Sequence, residues 1–231
     1  MRPTQKAEEM PKVMLRLSED GSSTLYRADI DEHYHSIHGA IQESRHVFIT
    51  AGLKAFGPTG DFSVLEVGFG TGLNALLTLC DKPPGTTVYY KAIEKYPVPN
   101  ALAGQINYPE FLGGAEVLQW YRAMHSAEWG IDCRLHPEFV LHKHHGALED
   151  FTTGQFFDLV YFDAFAPDKQ PELWSTSVFA NLYSLLKPGG VLTTYSAKGE
   201  VRRSLLAVGF EVDRLPGPPG KRQMLRARKV G

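Results

Sequence analysis

The chain has 231 residues, 43% hydrophobic and 11% aromatic, which is enough apolar material for one α/β domain with an appendage. No apolar run approaches the roughly 20 residues of a membrane-spanning helix, and the N-terminus is polar, so we expect a cytoplasmic protein without membrane association. Cys80 and Cys133 are far apart and indicate neither a disulfide scaffold nor a cysteine zinc site.

The first 57 residues are predicted to form a small cap on a main domain at residues 58–231. Two short strand candidates flank Asp20-Gly21, which is a hairpin signal. Residues 40–56 carry apolar side chains at helical spacing and predict one amphipathic helix.

A strand followed by a glycine-rich turn is the central feature of the sequence. Residues 62–67 are apolar and predict a buried strand, and residues 73–79 predict a helix. Between them glycines alternate as G-x-G-x-G, unlike the G-x-G-x-x-G of dinucleotide sites. Glycines permit positive φ and close approach of a ligand, and the helix start offers free N–H donors.

With the acidic residue before it, this turn resembles motif I of class I S-adenosylmethionine (SAM) methyltransferases. SAM is cationic at sulfur and has no phosphate, so a carboxylate near the turn suits it. The residues assigned to the cofactor here are Glu66, Gly68, Phe69, Gly70, Thr71, Gly72 and Asn74.

Glu94 ends the second predicted strand, 22 residues after Gly72. A carboxylate at that place can accept hydrogen bonds from both hydroxyls of a ribose. Residues 108–130 break the strand–helix alternation and predict one or two inserted helices. In the third strand, His142 and His144 share a face, but no carboxylate or cysteine spacing completes a ligand set, so no metal is predicted.

The fourth predicted strand, residues 157–162, leads directly into Asp163-Ala164-Phe165-Ala166-Pro167. A carboxylate followed by an aromatic residue and a proline resembles the acceptor loop of SAM-dependent N-methyltransferases. Asp163 could hold the N–H of an acceptor amine, and it also borders the predicted cofactor site. The alternative role for Asp163 is a helix N-cap.

The remaining elements complete an α/β fold with a class I, Rossmann-like methyltransferase sheet. Strands alternate with helices, which indicates parallel pairing. The last two predicted strands are joined by a short Pro-Gly loop and predict an antiparallel pair at the sheet edge.

Positive charge is concentrated at the C-terminal end of the chain. From residue 198 to residue 231 there are nine Lys or Arg and three acidic residues, although the whole chain carries a net charge of −2. Such asymmetry predicts a face for a polyanion, and a solvated tail is the alternative. The residues predicted to form this face, on one rim of the acceptor cleft, are Lys198, Arg202, Arg203, Lys221 and Arg222.

Several motifs together resemble the tRNA 5-methylaminomethyl-2-thiouridylate methyltransferase family, the methyltransferase half of bifunctional MnmC enzymes. The longest is residues 161–174, and the resemblance extends from about residue 34 to residue 228. The other matching stretches are residues 43–48, 66–74, 94–97, 194–203 and 220–225.

The resemblance implies methyl transfer from SAM to the primary amine of 5-aminomethyl-2-thiouridine at the tRNA wobble position, with the anticodon stem-loop as partner. It gives the acceptor role to Asp163, Phe165 and Pro167, and it adds Lys95 and Leu148 to the cofactor residues. It also implies that the flavin-dependent oxidase half is not within these 231 residues.

One position departs from the family pattern. The family usually places Gly-Asp after the third strand, with the Asp near the adenine, whereas Ala147 follows Gly146 here. Glu149 or Asp150 could replace that contact.

Two other functional hypotheses remain open from the sequence. The first is another transferase of the SAM fold acting on a small amine, such as an aminopropyltransferase or a small-molecule N-methyltransferase; the basic C-terminal segment disfavours it. The second is a non-catalytic RNA-binding module, which the intact glycine turn, Glu94 and Asp163 disfavour.

Overall fold

The computed structural model describes residues 12–231, so most of the polar N-terminal segment lies outside the described part. Chain order begins with a small antiparallel sheet of β1 (Val13–Leu17), β2 (Ser23–Arg27) and β3 (Glu32–His33). The predicted hairpin is confirmed, since β1 pairs antiparallel with β2. The division of the chain at residue 57 remains a prediction.

The predicted helix after this sheet forms, but it is α-helical only at its start. Helix α1 (Ala40–Ser44) continues as a π-helix over Arg45–Lys54. Gly52 lets this π-helix approach the central sheet, because a Cβ there would lie 3.2 Å from Tyr161 Cε1. Apolar spacing alone does not separate the two helix types, since both keep an apolar face towards the core.

The central sheet has eight strands, and its middle confirms the predicted parallel arrangement. Its strands are β4 (Phe62–Val67), β5 (Val88–Glu94), β6 (Asp132–His136), β7 (Phe139–His145), β8 (Phe157–Phe162), β9 (Leu186–Thr194), β10 (Phe210–Pro216) and β11 (Gln223–Lys229). The spatial order is β10-β11-β9-β8-β4-β5-β7-β6.

Both edges of this sheet contain antiparallel pairing. At one edge β11 lies between β9 and β10 and is antiparallel to both, so the predicted terminal pair is present. At the other edge β6 pairs antiparallel with β7, which the sequence analysis did not predict. The strand β6 is half exposed and lacks the apolar run that marks the buried strands.

Helices cover both faces of the sheet. They are α2 (Leu73–Asp81), α3 (Asn100–Ala103), α4 (Tyr108–Leu112), α5 (Ala115–Ser126), α6 (Thr176–Leu185) and α7 (Gly199–Ala207). The insertion predicted at residues 108–130 is the helix pair α4 and α5. No helix within residues 12–231 is long and apolar enough to cross a membrane.

Alternation along the central strands divides the core into two layers. In β4, Val64 faces the layer of α2, α5 and the π-helix, whereas Leu65 faces the layer of α6 and α7. The neighbours β4 and β8 are buried on both faces, as parallel strands between two helix layers must be, whereas β5 exposes Tyr89 on one face. The carboxyl ends of these strands therefore meet at one edge, where loops can form a site.

Candidate functional site

A cavity of about 850 Å³ lies at the carboxyl ends of the central strands. The loops after β4, β5, β7, β8 and β9 all contribute to its walls, together with the N-terminal segment around residues 27–43. Open α/β sheets bind ligands at this place. Most of the predicted site residues border it or lie directly behind it.

The glycine turn has the backbone conformation that its sequence predicts. Gly68, Gly70 and Gly72 have φ of 90°, 48° and 73°, all in the left-handed region. A Cβ on Gly68 would lie 2.6 Å from the backbone oxygen of Asp163, so the turn packs against the acceptor loop with no room for a side chain. Gly68, Phe69 and Gly70 line the cavity.

Thr71 is buried behind this turn and receives hydrogen bonds from several parts of the chain. Tyr121 OH and His125 Nε2 donate to its carbonyl oxygen at 2.9 and 3.0 Å. Its hydroxyl lies 2.7 Å from His35 Nε2 and accepts from Tyr108 OH at 3.2 Å. The inserted helices and the N-terminal segment thus fix the turn, a role that the sequence analysis did not assign to them.

Both histidines in this network are neutral at physiological pH. Burial lowers the pKa of His35 to about 4, and burial likewise lowers the pKa of His125 to about 4. The hydrogen bonds that hold Thr71 therefore do not depend on a charge that titrates near neutrality.

Asn74 connects the strand carboxylate Glu66 with the acceptor-loop carboxylate Asp163. Its Nδ2 donates to Glu66 Oε1 at 3.0 Å and to Asp163 Oδ2 at 2.8 Å. Glu66 is completely buried, and burial, with a further contribution from the charge of Asp163, raises its pKa well above the usual range. Glu66, Thr71, Gly72 and Asn74 do not line the cavity, so any effect on a ligand passes through the residues in front of them.

Glu94 lines the cavity and receives backbone hydrogen bonds on both oxygens. Gly70 N donates to Oε2 at 2.9 Å, and Tyr96 N donates to Oε1 at 2.8 Å. Burial raises the pKa of Glu94, and these backbone hydrogen bonds oppose that shift. Each oxygen keeps a further lone pair, so the fixed carboxylate can still accept from two ligand hydroxyls.

Asp163 reaches the cavity from the end of β8, held by the Asn74 amide. Burial raises its pKa to about 7, and the charge of Glu43 adds to the rise while Asn74 and Lys221 oppose it. Its carboxyl group is therefore close to half ionised at neutral pH. A group with such a pKa in a cavity is suited to taking or giving a proton.

The loop after Asp163 presents an aromatic ring and is braced by polar contacts. Phe165 lines the cavity, its carbonyl oxygen accepts from Trp174 Nε1 at 2.9 Å, and Tyr195 OH donates to the Ala164 oxygen at 2.8 Å. Pro167, also predicted as an acceptor residue, is buried and does not line the cavity. Its fixed φ shapes the turn that carries Phe165, so it acts on the site only through the backbone.

Three residues from the N-terminal segment complete the walls, and the sequence analysis gave none of them a role. Tyr34 covers the glycine turn, because a Cβ on Gly70 would lie 2.9 Å from Tyr34 Cδ1. The ring of Tyr34 meets that of Phe165 edge-to-face at 5.0 Å, and the Arg27 guanidinium lies 5.4 Å from the Phe165 ring centroid. Glu43 is the third. The polar and aromatic composition of residues 31–38 was the available signal for such a wall.

The predicted adenine end is formed by the loop after β7. Leu148 is buried and lines the cavity, as do Lys95 from the loop after β5 and the exposed Glu149 and Asp150. On β7 itself, His142 Nδ1 lies 2.8 Å from Asp132 Oδ1 of the edge strand β6. Across the described residues, no three His, Cys, Asp or Glu side chains converge as metal ligands would.

The five basic residues predicted to bind tRNA are not equivalent in the structure. Lys221, predicted on one rim of the acceptor cleft, lines the cavity and forms an ion pair with Glu43. Lys198 forms an ion pair with Asp168. Arg203 and Arg222 are exposed and Arg202 is half-buried, and none of these three lines the cavity.

The sheet order and the glycine turn at the end of β4 define a class I, Rossmann-like methyltransferase fold. Residues 139–230 match a family model described as S-adenosyl-L-methionine-dependent methyltransferase. The chain is similar to this family over those residues, and its relatives over most of its length are MnmC proteins.

Two relatives and one solved structure show the extent of the similarity. The tRNA 5-methylaminomethyl-2-thiouridine biosynthesis bifunctional protein MnmC of Cupriavidus necator is 35% identical over 214 residues, which covers 86% of this chain and 32% of that protein. The protein of the same name from Pseudomonas fluorescens is 33% identical over 214 residues, 87% of this chain and 32% of its own length. The chain spans about a third of the length of these curated relatives.

The crystal structure of MnmC2 from Aquifex aeolicus has a TM-score of 0.74 with this chain at 25% identity. The match covers 95% of this chain and 71% of that one. The similarity therefore includes the N-terminal segment and the inserted helices as well as the central sheet.

The residues around the cavity fit SAM, the cofactor of the family. Glu94 and Asp163 supply negative charge at a site for a sulfonium ligand, and the backbone of Gly68 forms part of the cavity wall. Glu66 and Asn74 lie behind the turn and do not line the cavity, so they support the turn and do not contact the ligand.

Proposed function

We propose that this protein transfers a methyl group from SAM to the primary amine of an aminomethyl-uridine, 5-aminomethyl-2-thiouridine, at the wobble position of tRNA. The supporting relatives are named for 5-methylaminomethyl-2-thiouridine biosynthesis. The single observation that carries the proposal is Asp163, which lies in the cavity beside Phe165 and directly against the glycine turn. A carboxylate at that junction adjoins both the cofactor and the acceptor.

The cofactor would lie along the glycine turn. The backbone of Gly68 and Gly70, the Glu94 carboxylate and the Leu148 side chain line the cavity. Glu94 would accept hydrogen bonds from the ribose hydroxyls, and Leu148 would pack against the adenine. Glu66, Thr71, Gly72 and Asn74 support the turn from behind. When bound, SAM supplies an activated methyl group with a neutral thioether as leaving group, so the protein mainly has to align the acceptor and exclude water.

Asp163 would prepare the acceptor nitrogen. An ammonium has no free lone pair, so it must lose a proton before it can attack the methyl carbon. The Asp163 carboxylate accepts the N–H hydrogen bond and takes that proton, and its pKa of about 7 suits this exchange. As the N–C bond forms the C–S bond breaks, and the proton on Asp163 passes to solvent. Phe165 packs against the base that carries the amine.

The tRNA would approach over the C-terminal basic segment in the cytoplasm. Arg203 and Arg222 are exposed, and with Lys198 and Arg202 they can contact phosphates of the anticodon stem-loop. The wobble base would leave its stack to reach the cavity, as modified bases in loops commonly do.

The proposal is tested by mass analysis of wobble nucleosides after tRNA lacking the modification is incubated with the protein and SAM. A gain of one methyl group on 5-aminomethyl-2-thiouridine is expected, and Asp163→Asn should form it about 10²–10³ times more slowly. Methylation of free small amines without methylation of tRNA would contradict the proposal.

A further inference from the structure

A primary ammonium group of the protein itself occupies the acceptor end of the cavity. Lys221 Nζ contacts the Glu43 carboxylate and lies 3.9 Å from the centroid of the Tyr195 ring. Asp163 lines the same cavity and is close enough for the charges of Glu43 and Lys221 to shift its pKa in opposite directions. The ammonium is therefore next to the carboxylate that would serve the acceptor.

The groups that hold this ammonium are fixed independently of it. Glu43 is 8% exposed, and its Oε2 accepts from Ser36 N at 2.7 Å, so the carboxylate cannot turn to solvent. Tyr195 is fixed by its hydroxyl, which donates to the Ala164 oxygen at 2.8 Å. The carboxylate and the ring face would thus keep their places if Lys221 moved away.

The backbone near Lys221 is also fixed, by contacts with the N-terminal segment. His46 Nε2 donates to the Pro216 oxygen at 2.8 Å, and a Cβ on Gly220 would lie 2.2 Å from His38 Cδ2. Since the loop is held at both ends, exchange at Glu43 requires only rotation of the long Lys221 side chain. That side chain is 34% exposed and already has a path to solvent.

We propose that Glu43 and Tyr195 form an ammonium-binding subsite for the acceptor amine, which Lys221 occupies in this structure and which the substrate ammonium takes over by displacing Lys221. A carboxylate combined with an aromatic face is the arrangement that recognises alkylammonium groups. Both the lysine side chain and an aminomethyl base end in a CH₂–NH₃⁺ group, so one can replace the other. This proposal rests on the proposed function in one respect: it assumes that the acceptor is a primary amine.

Exchange of one ammonium for another keeps the charge of the subsite unchanged. Without any cation, Glu43 would be a buried charge with no partner, which is strongly unfavourable. Lys221 removes that cost until an acceptor arrives. The subsite also selects by charge, because an acceptor ending in a carboxylate would face both Glu43 and Asp163.

The subsite is tested with ethylammonium, a small probe that resembles the end of a lysine side chain. In Lys221→Ala the side chain is removed and Glu43 is left unpaired, so millimolar ethylammonium chloride should raise the melting temperature by a saturable amount. Sodium chloride at equal ionic strength should not. The response should be lost in the double variant Lys221→Ala/Glu43→Gln. No response in Lys221→Ala, or an equal response in the double variant, would overturn the proposal.

A second variant applies the same test to the acceptor and does not depend on the stability of Lys221→Ala. Glu43→Gln keeps an oxygen for Ser36 N but removes the charge, and it should raise the KM for tRNA about tenfold while SAM affinity stays unchanged. Glu138→Gln is the matched control, since Glu138 pairs with Lys82 outside the cavity lining. Equal KM values for Glu43→Gln and the parent would also overturn the subsite.

The two proposals fail in distinguishable ways. Saturable ethylammonium binding without any methylation of tRNA would keep the subsite and reject tRNA as the acceptor. Methylation of tRNA without ethylammonium binding and with no effect of Glu43→Gln would keep the proposed function and reject the subsite. In that case the Lys221–Glu43 pair only holds the loop to the N-terminal segment.

Discussion

The two ends of the cavity are built in different ways. The cofactor end is centred on the backbone of one continuous stretch, residues 68–72, whose three glycines have positive φ and whose first glycine packs against the acceptor loop. The acceptor end is made of side chains from separate segments of the chain, namely Tyr34, Glu43, Asp163, Phe165, Tyr195 and Lys221. A backbone site fails when any side chain is added, whereas a side-chain site can lose one group and keep its shape.

The largest effect of a single substitution is expected at Gly68, in the cofactor end of the cavity. Gly68→Ala should prevent detectable SAM binding and destabilise the fold by roughly 2–4 kcal/mol, because the new Cβ would lie 2.6 Å from a backbone oxygen at φ of 90°. Gly85→Ala is the matched control: its φ is 73°, but nothing lies within 4 Å of its Cβ. Thermal melting and isothermal titration with SAM measure both effects. Equal behaviour of the two variants would remove close packing from the account of the glycine turn.

At the acceptor end, Asp163→Asn should lower the rate of methyl transfer by about 10²–10³ and change SAM affinity less than threefold. The new amide oxygen can still accept from Asn74, so the cofactor end keeps its support. Single-turnover rates and SAM titration separate the two effects. Asp158→Asn is a control on the same strand: it accepts from Ser63 N and Lys187 Nζ away from the cavity lining, and it should reduce stability without slowing transfer.

Glu94 is a side chain that acts at the backbone-built end, so its effect should be on affinity. Glu94→Gln has only one acceptor oxygen and must give up one of the hydrogen bonds from Gly70 N and Tyr96 N. We expect the Kd for SAM to rise about 10- to 100-fold, which corresponds to about 1.4–2.8 kcal/mol. Unchanged affinity in a folded variant would remove Glu94 from the cofactor site.

The pKa of Asp163 gives a pH test with a defined sign. Because burial raises its folded-state pKa from 3.8 to about 7, the stability it contributes is present below the unfolded value and lost as pH rises through 7. Relative to the parent, Asp163→Asn should therefore gain stability as pH increases through this window. Transfer by the parent should speed up over the same range as the carboxylate forms. Urea unfolding and single-turnover rates on either side of pH 7 measure both, and parallel stability curves would contradict the assignment.

The sequence could predict the cofactor end because its determinants are local. A strand, three alternating glycines and a helix start lie within residues 62–79, and each has a pattern of its own. Asp163 was also predictable, as it directly follows an apolar strand. The acceptor-end contributions of Tyr34, Glu43 and Tyr195 were not, since they come together only through tertiary packing.

The position of Lys221 and the strand β6 were not predicted, for different reasons. Lys221 was predicted on one rim of the acceptor cleft, and its side chain pairs with Glu43 inside the cavity, where the contact between Gly220 and His38 holds its loop. The strand β6 was missed because an edge strand needs no continuous apolar run. The partner of Lys221, Glu43, lies far away in the sequence, whereas β6 pairs with β7, which follows it directly.

The smallest expected effect concerns the exposed arginines outside the cavity. Since Lys198 and Lys221 are engaged by Asp168 and Glu43, the exposed Arg203 and Arg222 are the better candidates for phosphate contacts. Replacing both by Ala should lower the slope of log affinity for tRNA against log salt by roughly one to two, because each phosphate contact releases about one counterion. SAM affinity should not change, since neither side chain lines the cavity.

The matched control for these two arginines is Arg228→Ala. Arg228 is also exposed, but it lies opposite Val191 in the pairing of β11 with β9, towards the end of the sheet away from the cavity. It should leave the salt slope as in the parent, because a charge there does not reach a tRNA docked over the cavity. Filter-binding at several salt concentrations measures all three proteins. Equal slopes for the double variant and the parent would mean that tRNA approaches over another face and that these arginines are only solvated.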